Sequence, residues 1–302
     1  MKKFFIAIVA LAAAVACSNN DIISIDRQAI GFGNPFVENS VRADYSDGKT
    51  LGAFTVYGTV TSKSNSNSVA LFGGDGANVT GSVGATAWNC TETEYWVPNC
   101  TYAFQAVADG TIADGKIAVS VGDGDIDLLY AEAAASTNEK AEPTGNVNAN
   151  GVVPFTFTHL MSKVGFEFKN GSANTAYGYN ITAVSFTGHD TTGTYTIDSA
   201  TWDDTYTPSS ETLNFANGAT HQIIPGKQTL KVTINYVISY NGTKISATSI
   251  AEKPLTYTFE KGKSYNIAVT IPAPGQPIQF SVAATDGIGA WGNGGDVDLD
   301  KE

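Results

Sequence analysis

Charge is scarce in this chain, and arginine is its scarcest form. Only 15% of the 302 residues are charged, and the two arginines, Arg27 and Arg42, both lie near the front. Acidic side chains outnumber basic ones 29 to 17, for a net charge of −12, which argues against nucleic acid as a partner. There are three cysteines and three histidines (His159, His189, His221), and none of the histidines stands at zinc-ligand spacing. No G-x-S-x-G, P-loop or H-E-x-x-H motif occurs. The acidic run Asp123 to Asp127 fails as an EF-hand, because Leu128 and Ala134 stand where Gly and Glu are required. Carboxylate pairs such as Asp203-Asp204 and Glu92/Glu94 occur in any acidic β protein and identify no catalytic site. These absences point away from an enzyme, a metal and a cofactor.

What the chain has instead is 31 glycines, an aromatic content of 11% and many threonines, serines, asparagines and valines. Segments rich in Val, Ile, Phe, Tyr and Thr recur between turn residues, at Leu51–Thr61, Trp96–Val107, Lys116–Val121, Val164–Phe168, Ala183–Phe186, Leu230–Ser239, Tyr257–Phe259, Tyr265–Ile271 and Ile278–Ala283. In Lys231–Tyr240, Val232, Ile234, Tyr236 and Ile238 fall on one face of a strand. Only Leu128–Ala135 admits a turn or two of helix. The pattern predicts an all-β protein of antiparallel sandwiches. Ser136–Gly151, almost without large apolar residues, reads as a linker between two such units.

At the N-terminus a basic Met1-Lys2-Lys3 precedes the apolar run Phe4–Ala16, too short to span a bilayer and shaped like a secretory signal. Ala14-Val15-Ala16-Cys17 resembles the lipobox of bacterial lipoproteins, with Ala14 where leucine is preferred. That resemblance implies cleavage before Cys17 and acylation of the cysteine, with stable membrane attachment. The remaining cysteines, Cys90 and Cys100, either pair across a hairpin, setting Trp88 opposite Tyr102, or stay as two buried thiols. Arg42 lies in a polar stretch between a strand-like segment at Ala29–Phe32 and the strand at Leu51. An arginine-directed protease would therefore find targets only at the front end.

Taken in order, a series of motifs resembles the fimbrillins that build the pili of Bacteroides and its relatives. They are the lipobox at Cys17, Ile30-Gly31-Phe32, Val41-Arg42-Ala43, Phe54-Thr55-Val56-Tyr57-Gly58 and Trp88 with Tyr95-Trp96-Val97-Pro98. Tyr102-Ala103-Phe104, Asp127-Leu128-Leu129-Tyr130-Ala131, Phe157-Thr158-His159-Leu160 and Ser162-Lys163-Val164 follow. Ile223-Ile224-Pro225-Gly226 and Lys261-Gly262-Lys263-Ser264-Tyr265 complete the series. In such proteins Trp88, Tyr95, Trp96, Phe104 and His159 are packing residues.

The resemblance implies two tandem transthyretin-like antiparallel β-sandwiches, at 43–150 and 151–302, after a signal peptide (1–16) and a propeptide strand (17–42). It further implies a lipoprotein precursor at the outer membrane, cut after Arg42 by an arginine-specific protease to leave Ala43 as the new N-terminus. The vacated groove then takes a donor strand from another pilus subunit, expected within 276–302, where Ile278, Phe280 and Val282 alternate. The mature protein would sit in a cell-surface fimbrium, with host or bacterial surface ligands as further partners. The Gly-rich, acidic stretch after Val282 departs from a continuous donor strand except near Trp291, and is either a short second half of the donor or the protein's own last strand and tail. The alternative is a monomeric outer-membrane surface lipoprotein, acting as a glycan- or protein-binding module or a pilus anchor.

Overall fold

The structure is a computed structural model that describes residues 28–33, 35–37, 44–45, 49–82, 85, 88–121, 126–148, 150–203, 205–215, 219–246, 248–271, 274, 279–284, 292–293 and 297–298. Cys17, Arg42, Ala43 and Ile278 lie outside the described residues. Strands dominate, and the helical element among the described residues is one turn at Phe72–Gly74.

In the first half the central sheet runs in the order Phe36–Val37, Thr156–His159, Leu129–Thr137, Cys100–Ala108, Ala53–Ser62, Ala77–Thr80 and Asn89–Cys90. Alternation with period two turns Phe54, Val56, Tyr102, Phe104 and Ala106 into the core. Leu129–Thr137 is a central strand rather than a helical turn. Two of its alanines sit opposite large partners, Ala133 facing Phe104 and Ala135 facing Tyr102, where small residues are what the space admits, while Ala131 and Ala134 face Ala106 and Ala103.

The second half is a sandwich of two sheets. One is ordered Thr220–Ile223, Ser162–Asn170, Lys263–Ile271, Gln279–Ala284 and Val297–Asp298, and the other is built on Tyr177–Thr187 and Gly226–Tyr240. Val164, Tyr265, Ile267 and Val269 from the first meet Val184, Phe186, Val232 and Ile234 from the second. Not every pairing is antiparallel: Ser162–Asn170 runs parallel to Lys263–Ile271 over eight residue pairs.

Polar composition alone does not mark a linker at Ser136–Gly151. Pro143–Gly145 folds back on Leu129–Thr137, and Asn138 Oδ1 accepts the Lys140 and Glu142 N–H groups, making a local exposed hairpin. Val152–Val153 and Thr156–His159 then still pair within the first half. The sheets change over at Leu160–Ser162 instead of at Gly151. There Trp202 Nε1 donates to the Leu160 carbonyl at 2.8 Å, and the Gly262 N–H to that of Met161 at 2.8 Å. A four-stranded sheet spans the changeover, pairing Lys116–Ser120 from the first half with Thr192–Thr196 from the second. Ile117 and Tyr195 of this sheet share one buried cluster with Leu128, Leu160, Met161 and Ile224.

Asp127, the last residue of the acidic run, faces inward and meets His159 Nδ1 at 2.8 Å, both side chains being buried. It is thus part of the packing, as is His159. His189 is different. It is fully buried beside Phe186, its ring centroid 5.5 Å away, and neither ring nitrogen has a hydrogen-bond partner. Burial, with His221 nearby, lowers its pKa. Below about pH 6.5 the unfolded chain takes up a proton that the folded chain refuses, so stability falls as pH drops through that range. In thermal melts between about pH 7 and 5, His189→Phe should lose less stability than the wild type. An equal loss in both would remove His189 as the cause.

Candidate functional site

The described residues of 28–37 precede every long strand of the molecule. Residues 28–33 complete the layer facing the central sheet, and Phe36–Val37 adds an edge strand to that sheet. On one side the Trp96 N–H donates to the Gln28 carbonyl at 3.0 Å, the Ile30 N–H to that of Glu94 at 2.8 Å, and the Trp88 N–H to that of Phe32 at 3.1 Å. On the other side Gly31 and Phe32 run parallel to Val152 and Val153, and the Gly33 N–H donates to the Val153 carbonyl at 3.0 Å. Phe36 and Val37 continue the parallel pairing against Thr156 and Phe157. The segment is therefore an inserted strand with main-chain partners on both flanks.

Its side chains account for the depth of insertion. Ile30 is 5% exposed and Phe32 is fully buried. The Phe32 ring lies stacked on Phe155 at 5.8 Å, edge-on to Phe104 at 5.9 Å and tilted to Phe72 at 6.0 Å. Gly31 and Gly33 keep the space tight on either side. A Cβ at Gly31 would lie 3.2 Å from a Val152 methyl, and one at Gly33 would lie 3.1 Å from the other. The walls are themselves held: Trp96 Nε1 donates to the Gly151 carbonyl at 3.3 Å, and the Tyr102 hydroxyl accepts the Val97 N–H at 2.7 Å. Burial pushes the Tyr102 pKa up to about 12, so the hydroxyl stays protonated.

If the segment left, Glu94 and Val153 would each lose the donor to a carbonyl, and Trp88 and Trp96 the acceptor of an N–H. The rings of Phe72, Phe104 and Phe155 would meet water. Such a slot can take a strand, and only a strand satisfies both its edges.

Sequence reading picked out Ile30-Gly31-Phe32, Trp88, Tyr95 and Trp96, and the structure brings all of them to this slot, although Tyr95 is 43% exposed and not core. It left out Val152, Val153 and Phe155, whose apolar run was the available signal. The cysteines do not face each other. Cys90 pairs with Val79 and Cys100 with Ser62, and both are free thiols. The reason is that Thr91–Asn99 does not close a hairpin: Glu94–Trp96 runs beside residues 28–30, Trp88 lies opposite Phe32, and Tyr102 packs on Trp96 at 4.7 Å. Burial raises both thiol pKa values. The expected donor residues Phe280 and Val282 belong to Gln279–Ala284, which pairs with Lys263–Ile271 of the same chain, Phe280 opposite Val269 and Val282 opposite Ile267. Among the described residues no group of three or more His, Cys, Asp or Glu side chains is placed to hold a metal, and no helix is long and apolar enough to cross a membrane.

The fimbrillin-like family profile matches residues 42–286, and the chain belongs to that family, whose fold serves structural adhesion subunits and not enzymes. Among solved structures, a candidate cell adhesion protein from Bacteroides ovatus is similar with a TM-score of 0.57 and 18% identity, covering 85% of this chain and 96% of its own. Another from Bacteroides uniformis has a TM-score of 0.50 and 18% identity, covering 85% and 98%. These similarities concern the fold. No curated protein matches the chain.

Two measurements follow from this geometry. Phe32→Ala should lower the free energy of unfolding by about 3–5 kcal/mol in urea titration, because it empties an aromatic site that cannot collapse onto itself. A loss under about 1 kcal/mol would mean that the segment is not seated as described. Alkylation in denaturant without reductant, on a form lacking Cys17, should modify both Cys90 and Cys100, whereas protection of both would establish a disulfide.

Proposed function

We propose that the protein is a structural subunit of an adhesive cell-surface pilus, assembled by proteolysis and strand exchange. The observation that carries the reading is the inserted segment 28–37, which lies wholly ahead of Arg42 and outside the family match that begins there. In this reading Cys17 carries the lipid that holds the precursor at the outer membrane. An arginine-specific protease cuts after Arg42, and with only two arginines in the chain it can trim the front without touching the rest. The trimmed subunit exposes the slot, and a segment of a neighbouring subunit fills it. The acceptor and donor surfaces differ, so the contact is head-to-tail and propagates as an open fibre.

Digestion of the non-lipidated protein with an arginine-specific protease should yield one stable product beginning at Ala43 that forms ladders or filaments by size analysis and electron microscopy. Arg42→Ala should stay intact at that site and remain monomeric. If the wild type is not cut at Arg42, or its trimmed product stays monomeric, a membrane-anchored monomeric surface protein becomes the better reading.

A further inference from the structure

The outer face of the central sheet, turned away from its core, is covered at one end and open at the other. At the covered end Val107 and Tyr130 share a buried cluster with Ile117, Leu160 and Tyr195. Next along the strands comes the cross-strand row Tyr57, Gln105 and Glu132, and after it the row Thr59, Ala103 and Ala134. Ala103 and Ala134 are exposed, in central strands where β-branched or aromatic side chains are favoured. Unlike Ala133 and Ala135, which meet Phe104 and Tyr102 on the core side, these two face each other. The result is a trough of about 640 Å³, walled by Tyr57, Gln105 and Glu132 and closed at one end by Asn146, whose N–H donates to the Ala134 carbonyl at 3.3 Å. Neighbouring strands lie about 4.8 Å apart, so a floor from Ala70 through Thr59 and Ala103 to Ala134 runs roughly 14 Å.

The polar groups of the lining decide what it can hold. The Tyr130 hydroxyl donates to Glu132 Oε1, which fixes the carboxylate and leaves Oε2 as an acceptor. Burial, and after it Glu132, pushes the Tyr130 pKa up, so that hydroxyl stays a donor. The Tyr57 ring is anchored as well, its hydroxyl accepting the Ile112 N–H at 3.2 Å. The amides of Gln105 and Asn146 can each donate and accept. Among the described residues Glu132 is the one charged group of the lining, which disfavours an anion and is too little for a metal. The floor is a sheet face and not an edge, so an extended peptide finds no main chain to pair with. We propose that the trough binds a neutral oligosaccharide. Vicinal hydroxyls donate to Glu132 and exchange hydrogen bonds with Gln105 and Asn146, while the C–H face of a sugar ring rests on the Ala103 and Ala134 methyls beside Tyr57. An apolar floor of this volume with a few convergent polar groups suits a ligand of that kind. No described residue of 28–37 lines the trough, so the uncut chain carries the site whether or not strands exchange.

The test is calorimetric titration of the uncut, non-lipidated chain with maltotetraose, cellotetraose, xylotetraose and mannotetraose, and with tetragalacturonate as the anionic control. At least one neutral tetrasaccharide should bind with a dissociation constant of about 1 mM or tighter, and tetragalacturonate should not bind. Ala134→Phe fills the floor and should abolish that binding while keeping the wild-type circular dichroism. Glu132→Gln preserves the shape of the wall and should weaken binding about tenfold or more, which reads the site even if Ala134→Phe fails to fold. Tyr240→Ala removes an exposed ring outside the trough and should bind as the wild type does. The proposal is overturned if none of the neutral sugars binds, if tetragalacturonate binds as well as they do, or if either trough variant, once shown to be folded, binds like the wild type. Loss of binding in Tyr240→Ala with the trough variants unaffected would place the sugar elsewhere and overturn it too.

Discussion

The burial of Phe32 among Phe72, Phe104 and Phe155 is the contact on which the facing layer of the first half depends. The layer opposite the central sheet is made of short pieces: residues 28–33, Trp88 with Glu94–Trp96, and Val152–Phe155. None of these is long enough to hold itself by ladder hydrogen bonds, so they are held by what the middle piece buries. An aromatic side chain contributes most of that burial per residue, and the glycines on either side let the backbone come close enough to pair on both flanks. The same features make the piece replaceable. It is terminal in sequence to every long strand, it is bonded chiefly through its main chain, and its specificity sits in one side chain.

The rest of the molecule is built so that vacating the slot leaves it connected. The central sheet closes without the segment, through Leu129–Thr137, Cys100–Ala108 and Ala53–Ser62. The buried Asp127–His159 pair ties Thr156–His159 to the entry of its neighbour, close to where the chain passes from one half to the other. The sheet shared between Lys116–Ser120 and Thr192–Thr196 places a further apolar layer under the changeover. Removal of residues 28–37 would therefore expose a groove in an otherwise complete body, which is what an acceptor needs.

How much of this was legible in the sequence depends on whether the signal was local. Lys231–Tyr240 reads correctly because one face alternates Val232, Ile234, Tyr236 and Ile238, and period two is a property of the strand itself. Leu129–Thr137 does not, because a run of alanines carries no period, and only the facing Phe104 and Tyr102 explain the need for small residues. Ser136–Gly151 misleads because polarity reports exposure, and an edge hairpin is as exposed as a linker. Parallel pairing of Ser162–Asn170 with Lys263–Ile271 leaves no trace either, since alternation is the same in both directions. The slot is the sharpest case: the residues of its strand stand out as a motif, yet its two flanks come from segments about 60 and 120 positions away, which pairing energetics and not local pattern brings together.

A subunit assembled by strand exchange, as proposed above, must refuse strands elsewhere, and the longest open edge among the described strands is guarded in that way. Ser249–Phe259 pairs along Gly226–Tyr236, and among the described residues no strand lies on its other side. Eleven residues of exposed edge would otherwise compete with the slot for any extended segment. The middle of that edge holds Glu252, Lys253 and Pro254, with Glu252 drawn to Lys231 at 2.8 Å. Charged side chains make a second strand costly to dock, and proline removes one of the donors that it would need. Once vacated, the slot would offer the opposite conditions, with an apolar floor and unpaired main chain on both flanks. If assembly proceeds by the strand exchange proposed above, this contrast would direct addition to one place, and growth through a single acceptor would stay linear instead of branching.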